Sequence, residues 1–357
     1  MRYMNARERI LAALHHQHPD SIPWTIYQGL LPEGEFAHTL MCKGLAVDVC
    51  WASVCNITRP NVKVVESTAG RTIYRKYITP IGNLTSVHRL TTLRPDRETI
   101  WTVEYPVKDI SDYAVAEFMV KDQEFVPRDD VYLEQDRRLD GQGIVTVDTG
   151  LTPLQEMLTD FLGYRRFGID QHRHPREFDH LYDAFWESCE TLHRIAANSK
   201  AEACHCSDTM NARVISPTLF EKYFMPFYEV VTNILHARNK IYLVHMDGVL
   251  SQLKGLIAGT KIDVIEAFTP SPLGDLSLAE AREAWKDKVI WANFPENIFL
   301  MGTEETRQYT MALLRQAAPG DNFLLGITED IEPHIIEESL MAVTEAVNKY
   351  GAYPLRL

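Results

Sequence analysis

The sequence is poor in the features that mark several large classes of protein. Its 357 residues include only six cysteines and no Cys-x-x-Cys pair, so we expect reduced thiols rather than a disulfide scaffold. No segment approaches the roughly 18 to 20 consecutive apolar residues of a membrane-spanning helix, and the apolar stretch at Ile10–Leu14 is too short for a signal peptide. We therefore expect a cytoplasmic protein without membrane association.

Positive charge is also in deficit. There are 36 Lys and Arg residues against 49 Asp and Glu residues, a net charge of -13. Such a protein repels a phosphate backbone, so nucleic acid is not an expected partner. The basic pairs Arg137–Arg138 and Arg165–Arg166 are short and have acidic neighbours, which is typical of a solvated face. We assign no function to them from the sequence.

Glycine-rich nucleotide-binding motifs are missing as well. Neither Gly-x-Gly-x-x-Gly nor a phosphate-binding loop occurs, which argues against nucleotide cofactors. What the sequence does have is the composition of an ordinary globular protein, 45% hydrophobic and 24% charged, which suffices to bury a core. The length suits one large α/β domain or two smaller ones. We predict a single domain over residues 1–357.

The N-terminal part combines a helix with a run of short strands. Asn5 precedes Glu8 by three residues, the spacing of a capping box, and predicts a helix from about residue 5 to near His16. Between residues 61 and 105, short β-prone runs alternate with turns at Gly70 and at residues 80–82. This texture predicts an antiparallel β-meander inserted at residues 61–105.

From about residue 140, apolar runs of strand length alternate with amphipathic segments. The runs are 143–147, 201–205, 241–245, 262–266, 289–293 and 323–327. Ser216 before Pro217, and Gly351 after the last amphipathic segment, are typical helix boundaries. Six or more such units favour a TIM (β/α)8 barrel, an α/β fold, over an open doubly wound sheet. The two remaining barrel strands are expected in residues 22–60 and near residues 101–120.

Polar residues with metal-binding side chains follow several predicted strands. His245, Glu266 and Glu329 each stand at the carboxyl end of a strand, the end that forms the mouth of a barrel. Three such ligands leave a position open for substrate, so these residues are the predicted metal ligands. Asp247 shares a face with His245 and is a reserve ligand or orients it. Any one of these carboxylates could instead cap a turn or pair with an arginine.

Further residues are candidates for substrate contact. Asp208, after another strand end, is a catalytic candidate together with Asp247, although it could equally cap a loop. The predicted substrate-binding residues are Trp24, Tyr27, Trp291 and Asn293. Aromatic side chains at this frequency more often belong to the core, and Cys204 and Cys206 are expected to be small buried residues.

Several segments together resemble the uroporphyrinogen decarboxylase superfamily. They are Asn5–Leu14, Pro19–Pro23, Ser216–Phe220, Pro226–Tyr228, His245–Gly248, Gly274–Asp275, Gly302–Glu305 and Tyr350–Tyr353. The resemblance implies a TIM barrel and one of two activities. The superfamily comprises true decarboxylases and zinc methyltransferases that exchange methyl groups with corrinoid proteins.

The decarboxylase branch fits this sequence poorly. True decarboxylases carry an arginine-rich segment just after the opening helix, whereas residues 24–35 contain no arginine. A substrate with many carboxylates needs cationic partners, so its decarboxylation is disfavoured here. The meander at residues 61–105 resembles the methyltransferase branch instead.

The methyltransferase branch implies a zinc site. In members that methylate coenzyme M, zinc is held by His-x-Cys at the fifth strand and by a cysteine at the eighth. This sequence keeps the histidine as His245 but has Asp247 and, roughly, Glu329 in place of the cysteines. Carboxylates make a harder metal centre, which suits an ether oxygen better than a thiol. The resemblance thus implies transfer of a methyl group from a small donor, an aryl methyl ether by this argument, to the cobalt of a partner corrinoid protein.

Two other functions stay open at this stage. One is a decarboxylase that acts without metal, and the other is a non-catalytic module that binds a tetrapyrrole or corrinoid. The sequence does not separate an aryl ether from other methylated donors. It also leaves the oligomeric state and the identity of the corrinoid partner undetermined.

Overall fold

The computed structural model of the chain describes residues 3–94 and 97–356. Its contacts divide the chain into two compact units, and each is described by itself. The first comprises residues 1–54, 128–150 and 196–357, and the second comprises residues 55–127 and 151–195. Residues 1, 2, 95, 96 and 357, which the predicted domain or meander ranges include, lie outside the described residues.

Fourteen strands are described. They are β1 (Trp24–Tyr27), β2 (Leu45–Ala52), β3 (Cys55–Thr58), β4 (Lys63–Ala69), β5 (Thr72–Thr79), β6 (Gly82–Arg94), β7 (Arg97–Glu104), β8 (Glu124–Pro127), β9 (Gly143–Asp148), β10 (Ala203–Cys206), β11 (Ile241–His245), β12 (Val264–Phe268), β13 (Val289–Asn293) and β14 (Phe323–Ile327).

The α-helices of the described residues follow in chain order. They are α1 (Ala6–Leu14), α2 (Glu35–Cys42), α3 (Asp112–Lys121), α4 (Asp130–Leu139), α5 (Pro153–Glu156), α6 (Gly163–Arg173), α7 (Pro175–Asn198), α8 (Pro217–Leu219), α9 (Met225–His236), α10 (Lys254–Ala258), α11 (Leu278–Ala284), α12 (Thr303–Ala317) and α13 (Ile336–Tyr350). Two π-helical segments, Met157–Leu162 and Phe220–Phe224, and two 3-10 segments, Gln28–Leu30 and Glu296–Met301, complete the helical elements. Within the described residues, no helix has the length and apolar character needed to cross a membrane.

The first unit is built on a closed barrel of eight strands. Their order around the barrel is β1-β14-β13-β12-β11-β10-β9-β2, and neighbouring strands run parallel. All six predicted apolar runs contribute to β9 through β14. The strands are buried on both faces, which explains their nearly continuous apolar sequences. The predicted TIM barrel is confirmed.

One predicted barrel strand was placed wrongly. Both remaining strands, β1 and β2, come from residues 22–60, whereas the stretch near residues 101–120 contains the end of β7 and the helix α3. In β2 the apolar run is interrupted by Asp48, which is itself buried in the strand. A charged residue in the middle of the run obscured the pattern expected of a strand buried on both faces.

Helix α1 packs against the amino-terminal end of the barrel. Its Ile10, Ala13 and Leu14 belong to one buried apolar cluster with residues from early in the barrel strands. The predicted capping box is present, since Asn5 accepts from the backbone N–H of Glu8 and Glu8 accepts from that of Asn5. The helix therefore fills the end of the barrel opposite to the strand ends that carry the predicted site.

The second unit contains the predicted meander. Strands β4, β5, β6 and β7 form one antiparallel sheet in sequence order, and β3 pairs with β8. Leu84, Ser86 and His88 of β6 are buried on one face of the sheet. A Cβ atom at Gly82 would lie 2.8 Å from the side chain of Val115, so α3 approaches this edge closely. The meander insertion is confirmed, while the division of the chain into domains stays a prediction.

Candidate active site

Two histidines and a glutamate form a buried group at the carboxyl ends of neighbouring strands. Glu266 of β12 lies in register with His245 of β11, and its Oε2 is 2.8 Å from His245 Nδ1. His205 Nε2, from β10, is 3.0 Å from the same oxygen. The hydroxyl of Tyr27 in β1 donates to Glu266 Oε1 at 2.8 Å. Both carboxylate oxygens of Glu266 are therefore paired, although the residue is only 1% exposed.

This group is held together by charge. Burial raises the pKa of Glu266, but the charge of His245 and hydrogen bonds from His205 and His245 outweigh it, so this pKa lies well below its usual range. Burial lowers the pKa of His245, but the charge of Glu266 and the contact with Asp247 outweigh burial, so this pKa lies above its ordinary value. An ionised Glu266 can only accept hydrogen bonds, so the histidine nitrogens that face it are the donors.

A second group lies on the other side of the His245 ring. His245 Nε2 is 3.7 Å from Asp247 Oδ2, and one ligand atom from each of His245, Asp247 and Glu329 lies within 4.8 Å of the others. Burial, followed by the charges of Asp247 and Glu296, raises the pKa of Glu329 to about 7. We call His245, Asp247 and Glu329 the rim group and His205, His245 and Glu266 the inner group.

The rim group fits a metal ion better than the inner group does. Asp247 Oδ1 is buried and has no hydrogen-bond partner within the described part of the chain. A buried oxygen without a partner is costly, and a bound cation would relieve this cost together with the repulsion between Asp247 and Glu329. In the inner group, by contrast, the oxygens of Glu266 are already satisfied. One imidazole and two carboxylates form a donor set that zinc accepts.

The predicted ligands are divided between these groups. His245 belongs to both, Glu266 belongs to the inner group, and Glu329 belongs to the rim group with Asp247. Tyr27, a predicted substrate contact, is hydrogen-bonded to Glu266 and lies beside Trp51, with 5.3 Å between ring centroids. Their roles toward metal or substrate stay predictions.

The two predicted tryptophans occupy packing positions. Trp24 donates from its indole to Thr344 of α13 at 3.0 Å, so its side chain faces an outer helix. Trp291 belongs to the apolar cluster that packs on α1, and its indole donates to Thr25 at 2.9 Å. Neither has a hydrogen bond to the inner or rim group in the described residues. Both side chains are buried in the core, and their predicted contact with substrate stays a prediction.

Asn293 and Asp208 each bind a specific partner. Asn293 donates to Thr269 at 3.2 Å and accepts from the backbone N–H of Thr328 at 3.0 Å, so it connects the segments that follow β12 and β14. Asp208 is fully buried and accepts from the hydroxyl of Tyr228 in α9 at 2.9 Å. These contacts give both residues a structural role, and their catalytic or substrate-binding roles stay untested predictions.

Sequence reasoning missed two buried polar residues of the site. His205 stands between Cys204 and Cys206 near the carboxyl end of β10, and the parallel strands of a barrel bring that end to the same mouth as His245. Asp48 of β2 is buried, and its Oδ1 has no partner among the described residues. Burial and then the charge of Glu266 hold the pKa of Asp48 well above its usual range. No local pattern marks Asp48, because only closure of the barrel brings β2 near β12.

Comparison with known proteins adds a family and a fold. The family model described as "Uroporphyrinogen decarboxylase (URO-D)" matches residues 159–350. A methyltransferase from Methanosarcina mazei is similar in structure, with a TM-score of 0.62 and 12% sequence identity, over 97% of this chain and 99% of that chain. At this identity the similarity concerns the fold. None of the curated proteins compared with the chain matches it significantly.

More distant structures share less. The pneumococcal virulence factor StrH matches with a TM-score of 0.40 and 9% identity over 94% of this chain and 86% of that chain. A sugar phosphate isomerase/epimerase from Parabacteroides distasonis has a TM-score of 0.29. Neither similarity bears on function.

The URO-D match spans more than half of the chain and includes β10 through β14 with both groups of the site. This match shows that the protein belongs to the uroporphyrinogen decarboxylase family.

Proposed function

We propose that the protein is a methyltransferase that moves a methyl group from a small methylated donor to the cobalt of a partner corrinoid protein, with zinc at the rim group. The observation that carries this proposal is the convergence of His245, Asp247 and Glu329 around a buried carboxylate oxygen that lacks a partner. These are also the positions at which the family resemblance implies zinc ligands. The fold shared with a methyltransferase agrees with the proposal.

In this proposal the ligand set differs in one residue from the sequence prediction. His245 Nε2, Asp247 and Glu329 hold the zinc, and Glu266 accepts the Nδ1 proton of His245 from behind. Such a carboxylate fixes the ring of a metal-binding histidine and its tautomer. Asp247 thus replaces Glu266 as the third ligand, and Glu266 becomes a positioning residue.

The chemistry follows from the donor set. When bound, zinc supplies a Lewis acid that stabilises negative charge on the leaving group. Nitrogen and oxygen donors leave it harder than thiolates would, which favours a donor whose methyl group is attached to oxygen, such as an aryl methyl ether. His205 and Tyr27 contribute by holding Glu266 in place, each through one hydrogen bond.

The geometry gives less support to metal-free decarboxylation. In the described residues, the side chains of His205, His245, Asp247 and Glu266 form hydrogen bonds or ion pairs with each other. Their other side-chain partners are Tyr27 and Ser207. None of these partners is an arginine or lysine. A carboxylate-rich substrate would therefore meet acidic side chains at this site without the cations that it requires.

The test combines metal analysis with an assay. We expect about one zinc per chain in the wild type, and methyl transfer to the cobalt(I) of a matching corrinoid protein from a panel of methoxyarenes and methylamines. Asp247→Ala and Glu329→Gln should lose zinc and activity, while Glu332→Gln, an exposed neighbour, should keep both. Full zinc in the first two variants, or decarboxylation that persists in a strong chelator, would exclude the proposal.

A further inference from the structure

A separate cavity lies wholly within the unit formed by residues 55–127 and 151–195. Its volume is about 560 Å³, and its lining comes mainly from residues 104–108, which begin at the end of β7, and from α6. Small-molecule sites generally occupy roughly 300–1,000 Å³. The cavity therefore has the size of a ligand site, and it shares no residue with the inner or rim group.

The charge of this cavity is opposite to that of the chain. Four cationic side chains line it, Lys108, Arg165, Arg166 and Arg173, against the two carboxylates of Glu104 and Asp170. Counting His174 as neutral, the lining has an excess of two positive charges. The chain as a whole has a net charge of -13. The pair Arg165–Arg166, which the sequence suggested to be part of a solvated face, belongs to this lining. A local excess of positive charge against an acidic background selects anions.

Both acidic residues of the lining already have partners. Asp170 is buried and accepts from Arg166 Nε and from the hydroxyl of Tyr113, each at 2.8 Å. Lys108 donates to Glu104 at 2.9 Å, and its carbonyl oxygen accepts from Arg166. These bonds fix Arg166 and Lys108 in the wall of the cavity.

Arg165 and Arg173 are the cations that remain available. Both are exposed on α6, and neither has an ion-pair or hydrogen-bond partner for its side chain among the described residues. They are eight positions apart, a separation of about 12 Å along a helix. Two extended arginine side chains can converge over that distance on a molecule that carries two negative charges.

The rest of the lining is apolar. Tyr105, Val107, Leu162 and Ile169 contribute to the cavity wall. The ring of Tyr105 lies directly on Gly163, where a Cβ atom would come within 2.4 Å of the ring. Gly163 also has a φ of 66°, which favours glycine. This contact sets the position of the aromatic wall, against which an apolar body can pack.

We propose that this cavity binds a small organic dianion, with its negatively charged oxygens on Arg165 and Arg173 and its apolar body against Tyr105 and Ile169. Guanidinium groups bind carboxylates and phosphates alike through paired hydrogen bonds, so the acidic groups belong to either class. The proposal does not depend on methyl transfer, because the cavity and the rim group have no residue in common.

Calorimetric titration tests this proposal on the full chain. The aromatic probes are phenyl phosphate, whose one phosphate group carries up to two negative charges, and phthalate, which has two carboxylates. Inorganic phosphate, which has no apolar part, is the third probe. We expect saturable binding of at least one aromatic probe, weakened by salt. Preference for phenyl phosphate would identify a phosphate ligand, and preference for phthalate would identify a dicarboxylate.

The double variant Arg165→Gln/Arg173→Gln should bind the aromatic probe about tenfold more weakly or worse, because it loses charge-assisted hydrogen bonds. Arg138→Gln/Arg176→Gln removes the same charge outside the cavity and should bind as the wild type does. The proposal is overturned if neither aromatic probe binds, if both double variants behave alike, or if inorganic phosphate binds as tightly as phenyl phosphate.

Discussion

At the scale of single residues, the site depends on the two nitrogens of His245. Nδ1 faces Glu266 at 2.8 Å, and Nε2 faces Asp247 at 3.7 Å. Since Glu266 is ionised, Nδ1 carries a proton, so a cation that displaces the proton on Nε2 would meet the lone pair of that nitrogen. Under the proposed function, the inner group thereby orients the imidazole toward a cation at the rim group.

Glu266→Gln tests this positioning role. The amide keeps the size of the side chain but removes the negative charge that orients His245, so we expect zinc affinity to fall by about 10- to 100-fold without being abolished. Competition with a chelator measures the affinity. Tyr27→Phe removes one hydrogen bond to Glu266 and should have a smaller effect. Unchanged affinity in Glu266→Gln would mean that Glu266 does not support the ligand.

Glu329 gives a dependence on pH. Its pKa of about 7 in the fold, raised by burial and by Asp247, exceeds the ordinary 4.5, so the metal-free folded state retains a proton that the unfolded state loses. Its ionisation in the fold therefore costs stability as the pH rises through about 4.5 to 7, and the cost is absent at lower pH.

The corresponding prediction compares metal-free proteins. Relative to the wild type, Glu329→Gln should gain stability as the pH rises from about 5 to about 8, by on the order of 1 kcal/mol, a value reduced for the partial exposure of the side chain. Thermal unfolding at several pH values measures the difference. Glu332→Gln, an exposed neighbour, should show no such trend. A difference that does not vary with pH would contradict the raised pKa.

Sequence alone indicated some of these residues and missed others for physical reasons. His245, Glu266 and Glu329 follow apolar runs of strand length. Because the parallel strands of a barrel all end at one mouth, the sequence predicts that these residues lie there. Which oxygen remains without a partner, as in Asp247 and Asp48, depends on contacts between strands that are distant in sequence. Those contacts have no counterpart in any local pattern.

At the scale of elements, α1 is the clearest case of local sequence determining local structure. Its capping box and its apolar spacing predict both the start of the helix and the face that packs under the barrel. By contrast, the helix expected after Ser216 includes the π-helical segment Phe220–Phe224. The sequence did not indicate this segment, because a local shift of the backbone hydrogen bonds leaves the spacing of apolar residues nearly unchanged.

Leu14→Ala tests the contribution of α1. The side chain is 2% exposed within the apolar cluster, so its removal should lower the free energy of unfolding by about 2 to 5 kcal/mol. Zinc content should stay unchanged, because the rim group lies at the opposite end of the strands. Denaturant unfolding and metal analysis of the same sample measure both. A variant that loses zinc while folded would show that the two ends are coupled.

At the scale of the whole molecule, the regular alternation of strands and helices predicted the barrel from the number of units. Chain order did not predict that β1 and β2 both precede the meander, since an inserted sheet breaks the alternation there. The net charge of the chain describes the molecule as a whole but does not predict the charge of any one part of its surface. A net charge of -13 does not reveal a cavity lined by three arginines and a lysine.

Zinc should stabilise the folded chain as a whole. A ligand that binds only the folded state adds about 2.7 kcal/mol at a hundredfold excess over its dissociation constant. We therefore expect zinc to raise the melting temperature of the wild type but not that of Asp247→Ala. Removal of zinc with a chelator should reverse the increase. An equal increase in both proteins would place the binding elsewhere.

The position of the bound metal distinguishes the rim group from the inner group. An anomalous difference map, recorded at the zinc absorption edge from crystals of the zinc-loaded protein, locates the ion without assumptions about activity. We expect one peak at about 2.0 to 2.2 Å from His245 Nε2 and from oxygens of Asp247 and Glu329. A peak between His205, His245 Nδ1 and Glu266, or no peak at the barrel mouth, would show that the rim group does not hold the zinc.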